Sequence, residues 1–334
     1  MSTSLITSEV DFDADGKQHG YLRTPHSTHR SAYGWIPIPV TVIQNGAGPT
    51  VLMMAGIHGD EYEGQIALNR LILETSATDI TGRLIVLPSA NAPAVAAGTR
   101  TSPIDNGNLN RAFPGDPAGS PTFMIAHYIE ELLMPLCDYL IDLHSGGTSL
   151  VYPPTLLRGQ GHDAATADAL QGLQTAFDLP YAWVFSGGGG PNSTARTAMG
   201  AANRKGVVPI MAELGGGGMV DADILGQTRR GLYRILAHLG VLPEYKPDPA
   251  RGTRELHVLG SIYSYETGFF EPLKDIGDTV DENECVGIIH MLGKSAHAPQ
   301  SVVSPYKGIV LCKRALAQVE PGDAMFQIAT DASI

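Results

Sequence analysis

The stretch Thr50-Val51-Leu52-Met53-Met54-Ala55-Gly56-Ile57-His58-Gly59-Asp60-Glu61-Tyr62-Glu63-Gly64 passes from an apolar run into a glycine-flanked turn carrying a histidine and three acids. The run 50–55 reads as a short buried strand. Residues 63–73 place Ile66, Leu68, Leu71 and Ile72 at near-helical spacing, so a helix follows directly. In open α/β sheets, ligands bind in the crevice beyond the carboxyl ends of the strands. The turn between this strand and helix is therefore a candidate site.

Working outward, the same alternation recurs. Upstream, 36–43 is a β-branched run closed by the turn signal Gln44-Asn45-Gly46, while 8–34 is polar, lacks a period and is expected to wrap the surface. Downstream, strands are predicted over 83–87, 139–143, 182–185 and 207–214. Helices are predicted over 122–133, 163–177, 194–204 and 221–239. Strands alternating with helices argue for an α/β domain whose largely parallel sheet is covered on both faces. The connection 88–121 is long enough to expect a functional loop. Residues 243–254 are proline-rich and poor in apolar side chains, which suggests a linker. Beyond it the helical period gives way to short β runs with a weak internal repeat. We therefore expect a catalytic α/β domain over 1–245 and a small β-sandwich or barrel over 246–334.

The chain has 334 residues, 34 acidic and 22 basic, for a net charge of −12. Hydrophobic residues at 43% and charged residues at 17% are enough for a sizeable core and argue against disorder. Nucleic acid is not an expected partner, because phosphate binding needs clustered Lys and Arg. Nor is a membrane, because no apolar stretch approaches the ~20 residues needed to span one. The first residues lack a basic segment followed by a long apolar one, so no signal peptide is expected. Cys137, Cys285 and Cys312 are scattered and read as buried reduced thiols, which points to a cytoplasmic protein acting on small molecules.

Four segments carry candidate chemistry. His58 and Glu61 are three apart, so a tight turn aims both at one point, and imidazole nitrogen and carboxylate oxygen suit zinc. A third ligand fits at the end of Tyr139-Leu140-Ile141-Asp142-Leu143-His144. Asp142, on the same strand face as His144, is placed to orient its imidazole. Catalytic zinc sites keep three protein ligands and one open position, and they need a proton-transfer group nearby. Glu213, ending the apolar run Ile210-Met211-Ala212 before the glycines of 215–218, is the candidate base and acid. Asn110 and Arg111 in the long loop, with Arg100 upstream, offer an amide and planar guanidinium groups for a carboxylate. Arg196 begins the predicted helix after the glycine loop 187–190. Neither four-glycine run has the spacing of a phosphate cradle, so both read as flexible active-site loops.

The ordered set Gly56-Ile57-His58-Gly59-Asp60-Glu61, Asn108-Leu109-Asn110-Arg111, Asp142-Leu143-His144 and Glu213-Leu214-Gly215 resembles the succinylglutamate desuccinylase/aspartoacylase family over about residues 50–240. The resemblance implies a zinc carboxypeptidase-like mixed sheet flanked by helices. It implies His58, Glu61 and His144 as ligands of one zinc ion per subunit, and Glu213 as the catalytic acid/base. It also implies that Arg100, Asn110 and Arg111 contact the substrate, with a further substrate arginine that most resembles Arg196, Arg204 being the alternative. The family's active-site tyrosine could be Tyr263, Tyr265 or Tyr306. The C-terminal part resembles a biotinyl/lipoyl-like barrel, yet Ile288-Ile289-His290-Met291-Leu292-Gly293-Lys294 lacks the setting of a carrier lysine. Within the family, Asp11-Phe12-Asp13-Ala14-Asp15-Gly16 and Ile38-Pro39-Val40-Thr41-Val42-Ile43 are most similar to the bacterial deacetylases of ectoine breakdown.

The expected activity is thus zinc-dependent hydrolysis of an N-acyl amino acid, with Nα-acetyl-L-2,4-diaminobutyrate first among substrates. N-succinylglutamate and N-acetylaspartate are the alternatives, and a non-catalytic binding protein on the same fold is the reading of a different class. A cationic diaminobutyrate side chain would want an acid such as Glu63, Asp60 or Glu266. A homo-oligomer is left open.

Overall fold

The computed structural model describes residues 4–185, 194–293 and 297–332. In chain order the first part contains β1 (Thr7–Ser8), β2 (Gly16–Pro25), β3 (Trp35–Asn45), β4 (Thr50–Ala55), α1 (Tyr62–Glu74), β5 (Gly82–Leu87), α2 (Ala92–Ala97), α3 (Pro121–Tyr128), β6 (Tyr139–His144), β7 (Leu150–Gly159), α4 (Ala164–Phe177), β8 (Tyr181–Phe185), α5 (Ala198–Arg204), β9 (Val208–Gly216) and α6 (Ala222–His238). The remainder is all β: β10 (Arg254–Tyr263), β11 (Gly268–Pro272), β12 (Thr279–Val280), β13 (Cys285–Met291), β14 (Gln300–Val303), β15 (Gly308–Arg314), β16 (Gln318–Val319) and β17 (Ala324–Asp331).

The heart of the sheet is parallel, in the order β5-β4-β6-β9. Every residue of β4 is buried, because successive side chains point to opposite faces and both faces are covered. Val51, Met53 and Ala55 pack into one core with Leu68 and Leu71 of α1 and Leu232 and Ile235 of α6. Leu52 and Met54 enter the other, with Ile125 of α3 and Ala201 of α5. Covered on both sides, the strand reads as a continuous apolar run and not as an alternation.

Outside these four strands the sheet is mixed, which corrects the largely parallel expectation drawn from the alternation. Segment 16–25, expected to be irregular surface, is β2, paired antiparallel along the length of β3. Of its side chains only Leu22 and Thr24 are fully buried, so it carries almost no hydrophobic signal. The strand β7 runs antiparallel to β9. Its Pro153-Pro154 pair falls where the register shifts between Tyr152 and Thr155, a bulge that accommodates residues lacking an N–H. The helix expected over 194–204 is divided: a 3-10 turn over Thr194–Arg196, then α5 with Thr197 as its cap, the side chain accepting from Gly200 N.

The exposed stretch 244–253 leads into β10, which does not start a detached unit. It pairs parallel with β8 and antiparallel with β17. β17 pairs with β15, and β15 returns to β7 through Lys313 opposite Val151. The ring β7-β8-β10-β17-β15 is therefore a closed barrel built from both parts of the chain. A separate sheet, β14-β13-β11-β16, contributes Phe270, Ile289 and Val302 to a core shared with Ile262 and Phe326 of the barrel. No helix among the described residues is long and apolar enough to cross a membrane. Lys294 and the glycine run 187–190 lie outside the described residues.

Candidate metal centre and active site

His58 and Glu61 sit where the opening strand predicts them, in the turn between β4 and α1. The turn is tied down from outside by Gly59 N donating to Thr99 O at 2.9 Å and Asn91 N donating to Gly56 O at 2.9 Å. It also needs its glycine: a Cβ on Gly59 would lie 1.9 Å from the carbonyl oxygen of Ala94 in α2. His144 ends the neighbouring parallel strand β6, and Glu213 lies directly opposite it on β9. Three adjacent strand ends thus deliver all four residues to one place.

The side chains converge. Glu61 Oε1 lies 2.7 Å from His58 Nδ1, and Glu61 Oε2 lies 2.8 Å from His144 Nδ1. All three residues are buried, and their ligand atoms fall within 4.8 Å of one another, the only such cluster among the described residues. Both outward-facing imidazole nitrogens are engaged. His144 Nε2 is 3.0 Å from Asp142 Oδ2, as the strand spacing predicts, and His58 Nε2 is 3.1 Å from Asn108 Oδ1. Asn108 belongs to the motif quoted above, but nothing in the sequence assigns it this bond. Two imidazoles and a carboxylate, each oriented by a further contact, form the donor set that suits zinc with one position open.

Charge follows this geometry. Burial disfavours ionisation of Glu61, but the two imidazoles beside it outweigh burial and hold the carboxyl well below its usual range. Burial would also lower His144, yet Asp142 and Glu61 reverse the balance and raise it. For His58 burial prevails and lowers it, against the opposing pull of Glu61. Glu213 is half-buried as a residue, but its Oε2 is buried with no hydrogen-bond partner among the described residues. Burial, with Glu61 adding, pushes its carboxyl up to about 8.

Arg100 reaches the cluster, its Nη1 3.3 Å from His58 Nδ1 and 3.5 Å from Glu61 Oε1, with the side chain half exposed. Arg111 lies close by: burial lowers its pKa, and the charges of Arg100 and Arg196 lower it further. Its Nη1 donates to Asn110 O at 2.7 Å, and among the described residues no carboxylate pairs with Arg111 or Arg196. Buried Asn110 uses its side-chain oxygen to accept from Ala198 N at 3.0 Å, tying the long loop to the start of α5. Arg196 is exposed in the 3-10 turn. Arg204 is placed differently, with Nε and Nη2 on the two oxygens of Glu130 at 2.9 and 2.7 Å.

The other candidates are largely committed elsewhere. Asp60 Oδ2 accepts from Thr148 N at 2.7 Å and Thr148 Oγ1 at 2.8 Å, holding the turn after His144. Buried Glu63 accepts from Asp221 N at 3.2 Å at the start of α6, and burial raises its carboxyl to about 7. Each acid keeps one buried oxygen without a partner among the described residues. Glu266 is half-buried in the turn after β10, where its backbone bonds Ser264. Tyr263 and Tyr265 are exposed, and Tyr306 packs against Gly260. None of these three tyrosines bonds a site residue among the described residues. A tyrosine that the sequence does not flag lies near Glu213. Buried Tyr152 of β7, its pKa raised by burial and by nearby Cys312 and Glu213, donates to Gln327 Oε1 of β17 at 2.7 Å.

With this geometry in hand, comparison with known proteins is informative. Residues 47–239 match the succinylglutamate desuccinylase/aspartoacylase catalytic domain. The chain is 39% identical over 331 residues to the N-alpha-acetyl-L-2,4-diaminobutyric acid deacetylase of Halomonas elongata, covering 98% of this chain and 95% of that one. It superposes on the product-bound ectoine utilization protein EutE (DoeB) of Ruegeria pomeroyi with a TM-score of 0.93 and 36% identity, covering 98% of this chain and all of that chain. A succinylglutamate desuccinylase/aspartoacylase of Rhodobacter sphaeroides matches with a TM-score of 0.91 and 35% identity over the same shares. The chain therefore belongs to the succinylglutamate desuccinylase/aspartoacylase family.

Proposed function

We propose that the protein is a zinc-dependent deacylase that hydrolyses the amide bond of Nα-acetyl-L-2,4-diaminobutyrate. The observation carrying this reading is the buried His58–Glu61–His144 set beside Glu213, in a chain 39% identical across nearly its whole length to a deacetylase of that substrate. The three residues would hold one zinc ion per subunit. When bound, zinc polarises an acyl oxygen and lowers the pKa of water to about 7.

The chain's own residues supply the rest. Glu213 takes the proton of the attacking water and returns it to the departing amine; its carboxyl, pushed up to about 8 by burial and Glu61 in the metal-free fold, would be drawn down towards a base's working range by the positive charge of a bound zinc ion. Arg100 faces the oxyanion that develops as the carbonyl becomes tetrahedral. Asn110, Arg111 and Arg196 receive the substrate carboxylate, consistent with Arg111 and Arg196 having no carboxylate partner among the described residues. Residues 1–245 carry the chemistry, and 246–334 buttress it through the shared barrel. The protein acts in the cytoplasm on a free small molecule.

A second reading has an observation behind it. Three guanidinium groups near one site also suit a substrate with two carboxylates, such as N-succinylglutamate or N-acetylaspartate. In the chosen reading, the unpartnered oxygens of Asp60 and Glu63 are the candidates for the cationic side chain. Chelation tests the metal: activity should vanish with bound zinc and return when zinc is restored. Full deacylase activity in a demonstrably zinc-free sample would end this proposal.

A further inference from the structure

Arg196 stands in a three-residue 3-10 turn with an exposed side chain, so something must hold that turn if its guanidinium is to meet a carboxylate repeatedly in one place. On its C-terminal side the turn is tied to the cap of α5. Thr197 Oγ1 donates to Thr194 O at 2.7 Å, and Ala198 N is taken by Asn110. These bonds fix the backbone on either side of Arg196. The carbonyl of Ala195 accepts from Nη1 of Arg204, one helix length further on.

Arg204 is itself anchored. Its Nε and Nη2 hold both oxygens of Glu130, a residue only 2% exposed. Glu130 belongs to the π-helical turn Ile129–Leu133 that continues α3, and it is flanked by the buried Ile129 and Leu133. The guanidinium therefore presents two donors to a carboxylate fixed by the core and a third to the backbone beside Arg196. A rigid planar fork can make both contacts at once, whereas an ammonium group, being a point charge, cannot reproduce that geometry.

We propose that Arg204 is a positioning residue for Arg196, coupling the core through Glu130 to the arginine that grips the substrate carboxylate. This rests on the reading of Arg196 as a substrate-binding residue. Because the carboxylate is held alike in ground and transition states, loss of the coupling should weaken binding and leave kcat nearly unchanged.

The test is a double-mutant cycle on the zinc-loaded protein. Arg204→Met should raise KM for Nα-acetyl-L-2,4-diaminobutyrate about tenfold, the scale of one charge-assisted contact, with kcat within about threefold. Arg204→Lys and Glu130→Gln, which disturb the fold less, should shift KM in the same direction by smaller factors and serve if Arg204→Met does not fold. In an Arg196→Ala background, Arg204→Met should add less than about twofold, because its effect acts through Arg196. An N-acetyl amine without a carboxylate should not distinguish Arg204→Met from the parent. A full KM increase persisting in the Arg196→Ala background, or an unchanged KM in folded Arg204 variants, would overturn the proposal. The same cycle read as dissociation constants in a Glu213→Gln background separates it from the hydrolysis reading. Binding with the expected coupling but no turnover in the parent would overturn hydrolysis alone. Absence of both binding and turnover would overturn the two together.

Discussion

Replacing Glu213 by Gln should stabilise the metal-free protein while removing its turnover, and the size of the effect follows from where the carboxyl sits. Its usual pKa of 4.5 is pushed up to about 8 in the fold by burial and by the nearby Glu61 charge. An acid with a raised folded pKa contributes stability that is complete below the unfolded value and is lost as pH rises through the folded one. Between about pH 5.5 and about pH 8, the unfolded chain carries an ionised Glu213 while the folded chain keeps its proton. At about 1.4 kcal/mol per pH unit, that interval amounts to roughly 3 kcal/mol. Water at the half-buried side chain screens part of this, leaving about 2 kcal/mol. Gln does not titrate, so the stability of Glu213→Gln relative to the parent should grow by that amount across the interval. Urea unfolding of the chelated proteins at several pH values measures the difference directly, with the titrating groups that do not interact with Glu213 cancelling. Zinc, by adding positive charge nearby, should shrink it. A difference that stays flat with pH, or a parent that becomes the more stable partner at about pH 8, would refute the assignment of Glu213 as a destabilised, functionally tuned acid.

Two further outcomes follow from the same geometry. Asp142→Asn keeps the size of the group bonded to His144 Nε2 but removes its charge, and should weaken zinc affinity about 10–100-fold in a competition assay with a chelator; unchanged affinity would remove Asp142 as the orienting partner. Gly231→Ala would place a Cβ 2.1 Å from the Phe177 ring where α6 crosses α4, so stability should fall by about 1–3 kcal/mol while kcat per folded molecule stays constant.

The parts of this protein legible in the sequence are those where one residue pattern has one physical meaning. The run 50–55 is apolar because both faces of β4 are covered, and the candidate ligand residues stand at strand ends because a parallel sheet brings those ends together. His58, Glu61, His144 and Glu213 are therefore recognisable as a set in the sequence itself. What stayed hidden depends on partners distant in the chain. β2 has few buried side chains and forms through backbone pairing with β3, and the paired prolines of β7 disguise a strand that tolerates them at a bulge. The sequence favours Arg196 over Arg204 without showing that Glu130 holds Arg204. The same holds for Tyr152, whose place near Glu213 follows from the antiparallel pairing of β7 with β9.

The most direct measurement is amine release by the zinc-loaded protein from Nα-acetyl-L-2,4-diaminobutyrate, N-succinylglutamate and N-acetylaspartate under one set of conditions. The expected result is a kcat/KM for the diaminobutyrate derivative at least about tenfold above either rival. A preference for a dicarboxylate substrate, or no release from any of the three with zinc bound, would contradict it.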